Sequence, residues 1–241
     1  MAGSRSAILG ALLALALPGC GSQTHGEAVE LLDPAAPQYG KTYAEWAEQW
    51  INYIYRVSPP DCESPFLDTT GGSCQSYQDP ESPVFFLVGN FGGVSRRSDC
   101  PIPAGKALFL PILNVWGDNA GVTPDRIATD AELKSYVEST FDTIDRDSLR
   151  LLVDRRSVSG LARGAIRSAP YVAQLEPGKN QYDCVGIDDV QGEFQGYQSG
   201  FWAMLAPLPA GHHLIEFGGH VTSATPSNDL PLDISYTFDL D

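Results

Sequence analysis

Positive charge is scarce in this chain. Its 241 residues carry 15 Lys and Arg against 30 Asp and Glu, a formal net charge of −15. Neutralising phosphates takes Lys and Arg, so the balance excludes a nucleic-acid partner. It equally excludes a surface anchor that relies on anionic headgroups. The apolar stretch from Ala7 to Leu17 is far short of the roughly 20 residues that a helix needs to span a bilayer. Catalytic signatures are missing as well. There is no H-E-x-x-H, no G-x-S-x-G, no phosphate loop, no dinucleotide-binding glycine pattern and no EF-hand loop. In Gly196-Tyr197-Gln198-Ser199-Gly200 the serine stands one place too late for a nucleophile elbow. Five cysteines are present, but none are spaced as the tight Cys-x₂₋₄-Cys pairs of a structural zinc site. The sequence therefore nominates no catalytic residue, no metal ligands and no cofactor.

What is present points to a folded, turn-rich protein. Apolar residues make up 43%, enough for a sizeable core, which excludes disorder throughout. Glycine (24) and proline (18) exceed the usual ~12% together, which favours short strands over a helical bundle.

The N-terminus reads as an address. Arg5 precedes the apolar stretch, as in a secretory signal. Leu17-Pro18-Gly19-Cys20 then resembles the bacterial lipobox, although Pro18 departs from the small or β-branched residue usual at its place. The resemblance implies that residues 1–19 are a lipoprotein signal peptide, that Cys20 is acylated, and that the protein is lipid-anchored in the cell envelope. Gly21 follows; in enteric-type sorting an Asp there retains the protein, so Gly favours the outer membrane over the inner. Residues 21–40, with Pro34 and Pro37, read as a flexible tether reaching ~25 Å. Residues 41–241 then form a single β-rich domain.

Lipid consumes Cys20 and leaves Cys62, Cys74, Cys100 and Cys184, which in an oxidising compartment allow three pairings. The segment between Cys74 and Cys100 reads as a strand, a Gly-rich turn and a return. That favours Cys74–Cys100 with Cys62–Cys184. Cys62–Cys74 with Cys100–Cys184 remains the alternative.

Two helices are expected. Thr42 and Glu45 form a capping box ahead of Tyr43, Trp46, Trp50 and Tyr53/Ile54 at helical spacing, and the helix stops before Ser58-Pro59-Pro60. Thr129 and Glu132 form another ahead of Leu133, Val137, Phe141 and Ile144. Strands are expected at 83–89, 107–113, 148–153, 171–175, 201–206, 212–217 and 234–240. Pro111 implies an edge, a bulge or a strand end. Seven short strands with two helices predict a mainly β, β-sandwich-like antiparallel domain with two embellishing helices.

Three side-chain groups invite a functional reading. His212, His213 and His220 cluster near the C-terminus, but on a strand His212 and Glu216 stand ~13 Å apart, too far for one metal ion. His213 reads instead as a hydrogen-bonded structural residue. Asp188-Asp189 and Asp229 with Asp233 could offer oxygen ligands to Ca²⁺, though loop aspartates commonly serve turns. Arg146, Arg150, Arg155, Arg156, Arg163 and Arg167 could bind an anion; they read better as internal partners of an acidic chain whose residues 180–241 hold no Lys or Arg.

Pro207-Leu208-Pro209-Ala210-Gly211-His212-His213-Leu214-Ile215-Glu216-Phe217 resembles a hairpin common in extracellular β-sandwich domains, in which glycine makes the turn and histidine is structural. Trp46…Trp50, Asp68-Thr69-Thr70-Gly71…Cys74, Pro83–Gly89, Cys100–Ile112 and Phe201–Leu205 resemble an uncharacterised family of exported bacterial proteins. That resemblance implies one domain with Cys74 and Cys100 as a recurring pair, and brings no catalytic residues. The expected function is a binding or structural module for an envelope glycan or protein. An extracytoplasmic hydrolase using carboxylates, with or without Ca²⁺, is the alternative.

Overall fold

The computed structural model describes residues 29–57, 64–184, 186–187, 189–222 and 230–241. In chain order the elements are α1 (Tyr43–Tyr55), β1 (Val84–Phe86), β2 (Gly93–Arg97), β3 (Ala107–Asp118), α2 (Asp130–Phe141), β4 (Ile144–Val153), β5 (Arg156–Ser157), β6 (Ala165–Leu175), α3 (Gln181–Cys184), β7 (Gly192–Leu205), β8 (Gly211–Val221) and β9 (Leu230–Leu240). The strands form a four-stranded sheet, β1-β3-β7-β6, and a five-stranded sheet, β2-β9-β8-β4-β5. The mainly β, sandwich-like expectation holds. The sheets are mixed rather than purely antiparallel, because β1 runs parallel to β3 and β2 parallel to β9.

Both capping boxes form. Thr42 Oγ1 accepts the Glu45 N–H, and the Thr42 N–H donates to the Glu45 carboxylate at 2.7 Å; Thr129 and Glu132 do the same. Each box satisfies amide groups that a helix start leaves without partners. The heavy face of α1 then packs on the outer face of the four-stranded sheet. Trp50 sits edge-on to Trp202 at 5.3 Å, and Trp202 stacks on Phe109 at 5.1 Å. This sheet is thus covered on both faces, by α1 and by the second sheet. Phe201 through Leu205 are consequently all buried, as a strand with two covered faces requires. The five-stranded sheet has one wet face, and β9 alternates: Ile234, Tyr236, Phe238 and Leu240 turn inward.

The segment between Cys74 and Cys100 is not a hairpin. β1 and β2 follow each other in sequence but belong to different sheets, so the chain crosses the sandwich between them. Their parallel partners require this, since a hairpin can only join antiparallel neighbours. Cys74 and Cys100 are nonetheless bridged, their Cα atoms 5.6 Å apart. The Pro207–His213 stretch is likewise a crossing, from β7 in one sheet to β8 in the other.

One buried cation fixes the first crossing. Arg97 is 1% exposed and has no carboxylate partner among the described residues. Its Nε donates to Asp68 O at 2.9 Å, Nη1 to Val88 O at 3.0 Å and Nη2 to Gly89 O at 2.9 Å. The guanidinium also lies 5.2 Å from the Tyr236 ring, whose hydroxyl donates to Val88 O and accepts the Val88 N–H. Burying a guanidinium is costly unless its donors are used, and here three backbone carbonyls use them.

Part of the segment expected to be a tether is docked on the domain from Val29 onward. Glu30 O accepts the Ala206 N–H, and Leu32 N–H donates to Met204 O at 2.8 Å. These residues occupy the flank of β7 beyond the point where β6 begins at Ala165 opposite Phe201. Tyr43 Oη donates to Leu32 O and Trp46 Nε1 to Gln38 O, each at 2.8 Å. The apolar Val29 and Leu31 pack on the inter-sheet core, which is why a stretch rich in small polar residues is docked here.

Candidate functional site

The β1–β3 ladder ends early, and the sequence explains where. Leu87 N–H donates to Phe109 O at 2.9 Å. The next rung needs an N–H at residue 111, and Pro111 has none. Leu87 O accepts the Trp50 indole N–H instead, at 2.8 Å. A bulge follows between Pro111 and Leu113. β1 then leaves the sheet through Gly89, while β3 continues to Asp118 beside β7 alone.

A cleft of about 250 Å³ occupies the space that β1 vacates. β3 supplies Pro111 and Leu113–Trp116; the crossing supplies Gly89, Asn90 and Phe91; β8 and β9 supply Val221, Leu230 and Leu232; α2 supplies Tyr136 and Thr140; Phe66 completes it. Among the described residues no Asp, Glu, Lys, Arg or His lines it. Its rim is apolar and open to solvent, with Phe91 65%, Tyr136 54% and Leu230 45% exposed. Phe91 sits edge-on against Phe66 at 4.4 Å, and Phe66 against Trp116 at 5.7 Å.

Four consecutive β3 residues, Leu113 to Trp116, face this one space. Side chains alternate across a strand, so a run without gaps means that the cleft meets the strand along its edge. Every second residue there directs its N–H and C=O away from β7. Asn114 adds a side-chain donor: its Nδ2 is enclosed and has no hydrogen-bond partner among the described residues.

Trp116, which walls the cleft, is held from behind. Its Nε1 donates to Tyr55 Oη at 2.9 Å, and Tyr55 Oη donates to Asp118 Oδ2 at 2.8 Å. Tyr171 Oη donates to the same oxygen at 2.5 Å. Burial, foremost, pushes both phenols above their usual range, so they remain donors to the carboxylate.

The residues singled out from the sequence lie elsewhere. Cys20, Cys62, His25, Asp188 and Asp229 fall outside the described residues. Cys184 is disulfide-bonded, to a partner that also lies outside them. β8 spreads the histidines along its length, so they form no cluster. His212 is exposed against Asp239. His213 is buried, with Nδ1 3.0 Å from Asp154 Oδ2 and Nε2 2.8 Å from Pro209 O. It ties the second crossing to the two-residue turn at Asp154-Arg155, where both residues have positive φ, as the tightest hairpin turns need. Among the described residues no group of three His, Cys, Asp or Glu could hold a metal ion. Ser199 is fully buried and its Oγ accepts the Ser168 N–H.

Arg146, Arg150, Arg163 and Arg167 find internal partners among the described residues. Arg163 pairs with Asp33, Arg167 with both oxygens of Asp142, and Arg146 lies over the Phe141 and Phe201 rings. Arg150 pairs with Asp233, which Arg96 also holds. The hydrogen bond from Arg96, then that from Arg150, lowers the Asp233 carboxyl to about 2. A depressed carboxylate pKa stabilises the fold above the unfolded value near ~3.9 and loses that contribution as pH falls towards 2. Asp233→Asn is therefore expected to cost up to about 1 kcal/mol at neutral pH, because the pair is solvent-screened. Urea midpoints measured at pH 7 and again near pH 2 check this: the gap between variant and parent closes at the lower pH.

No protein-family model matches the chain, and no curated protein or solved structure matches it. The roles of its residues rest on their geometry. Sequence reading found none of Phe91, Asn114, Trp116 or Tyr136; its single pointer to the cleft was Pro111, read as an edge or bulge residue.

Proposed function

We propose that this chain is a lipid-anchored cell-envelope protein, at the outer membrane, whose disulfide-stapled β-rich domain is a binding module acting through the cleft beside β3. The lining carries this reading. It is apolar and aromatic, with a few amide and hydroxyl groups, which is the composition of ligand sites in general. A hydrolase working with two carboxylates would need them convergent in a cleft, and this one offers none among the described residues. No cofactor enters the proposal.

The lipobox-like Leu17–Cys20 supports the anchor. Val29 and Glu30 lie beside Pro207–Pro209 and His213, at the pole where β8 begins. Val221, at the far end of β8, lines the cleft. Ten residue steps of a strand separate the two, about 33 Å. The cleft thus lies at the end of the domain remote from Val29. Among the described residues no helix is long and apolar enough to cross a bilayer, and the attachment proposed is the lipid on Cys20.

Cys20→Ser is expected to move the protein from the membrane fraction to the soluble one; retention in the membrane equal to that of the parent contradicts the anchor. For the cleft, a thermal-shift screen of the purified protein against envelope glycans and extended peptides tests binding. A ligand of the native state raises the melting temperature by mass action, and Phe91→Ala is expected to reduce that rise.

A further inference from the structure

The occupant of the cleft can be specified further, resting on the reading of that cleft as a binding site. We propose that it takes an extended peptide segment of a partner protein, neutral or basic, which adds to β3 as an extra strand.

Three observations carry this. First, β3 beyond Phe109 pairs with β7 alone, so one edge of Leu113–Gly117 has no strand beside it among the described residues. An open edge is a row of unpaired N–H and C=O groups with the repeat of a peptide backbone, and strand addition is the recognition mode that uses it. Second, the cleft lies along that edge and is walled by Phe91, Trp116 and Leu232, so alternate side chains of an added strand would enter an apolar space. Third, Asn114 lies at the same edge, and its enclosed Nδ2 has no partner among the described residues. Turning that amide towards the edge would give the donor a peptide carbonyl as its acceptor. Charge selects further. The chain carries 30 acids against 15 Lys and Arg, so its field disfavours an acidic segment and steers a basic one.

The native protein manages this edge without pairing it. Pro111 and the bulge beside it stop the ladder from continuing along β1, and the crossing holds Phe91 over the gap. Those are devices that keep an edge from indiscriminate association while leaving it reachable.

The test is a calorimetric titration of the purified whole protein with a blocked probe peptide, Lys-Thr-Val-Thr-Val-Thr-Val-Lys. Two twins accompany it, N-methylated at the valines or at the threonines, each unable to pair along one edge. The parent peptide is expected to bind, and one twin to bind at least tenfold more weakly with its side chains unchanged. Phe91→Ala, in an exposed loop, is expected to weaken binding at least fivefold without loss of fold. Asn114→Leu separates binding from stability. It removes an unpartnered enclosed donor, so the variant is expected to melt higher while binding the peptide more weakly. A merely structural Asn114 would not move both in that direction. Equal binding of the parent and both twins overturns the proposal, as does a concentration-dependent dimer of the protein that Phe91→Ala abolishes. A neutral β-linked glucan that binds with Phe91 dependence, where the peptide does not, overturns the peptide class and leaves the cleft a binding site. Binding of neither probe overturns both readings.

Discussion

Replacing Arg97 with Met is expected to destabilise the protein by about 3–5 kcal/mol, the range of changes that break a buried polar network. The chemistry of the site sets the sign. The guanidinium satisfies Asp68 O, Val88 O and Gly89 O at once; Val88 and Gly89 lie where the chain passes from one sheet to the other, and Asp68 lies in the loop before β1. Met fills much of the volume and removes the cost of a buried charge, but it leaves Asp68 O and Gly89 O without donors, at about 1–3 kcal/mol each before that relief, and leaves Val88 O with the Tyr236 hydroxyl alone. Arg97→Lys is expected to rescue little. One ammonium cannot reach three carbonyls that a planar fork reaches together. Urea unfolding of the two variants checks this; a loss under 1 kcal/mol for Arg97→Met would show that the crossing does not depend on the guanidinium.

The second large effect concerns the same crossing. Cys74 and Cys100 are separated by 26 residues, a segment that contains β1, the crossing and β2. By the chain-entropy argument, closing a loop of that length removes about 3.5 kcal/mol of freedom from the unfolded state. The double variant Cys74→Ala/Cys100→Ala is expected to lose about 3 kcal/mol. The variant is a better test than a reductant, because Cys184 is also disulfide-bonded and a reductant would break that link too. Equilibrium unfolding in guanidinium is the measurement. Together Arg97 and the disulfide fasten the segment that walls the cleft, so a folded double variant is also expected to bind more weakly there.

Much of the fold was legible because its signals are local. Thr42 with Glu45 and Thr129 with Glu132 mark helix starts by chemistry that acts over three residues, and both formed. The alternation of Ile234, Tyr236, Phe238 and Leu240 marks a half-buried strand in the same way. Sheet membership is not local. The run Val84–Phe86 and the run Gly93–Arg97 look like the arms of a hairpin, because the glycines between them suit a tight turn and an open crossing alike. Their parallel partners, β3 and β9, lie far along the chain, and pattern alone does not reveal them. Cys74 and Cys100 were thus paired correctly on an argument that does not hold. Arg97 was hidden for a related reason. In Gly93-Val94-Ser95-Arg96-Arg97 two adjacent arginines read as solvated, and only the folded chain shows that one meets Asp233 at the surface while the other is sealed inside. The cleft was the least legible feature of all. It is a place where a strand leaves, and no residue pattern encodes a departure, except that Pro111 lacks the N–H that would have kept β1 alongside.

The account stands on the open edge of β3. Amide hydrogen exchange across Leu113–Gly117, with and without the probe peptide, addresses it directly. The account predicts that amides on alternate residues exchange quickly in the free protein and slow at least tenfold when the peptide is bound, while their neighbours, bonded to β7, are slow in both. If all of these amides are already protected in the free protein, or if the peptide changes none of them, the edge is not the binding site.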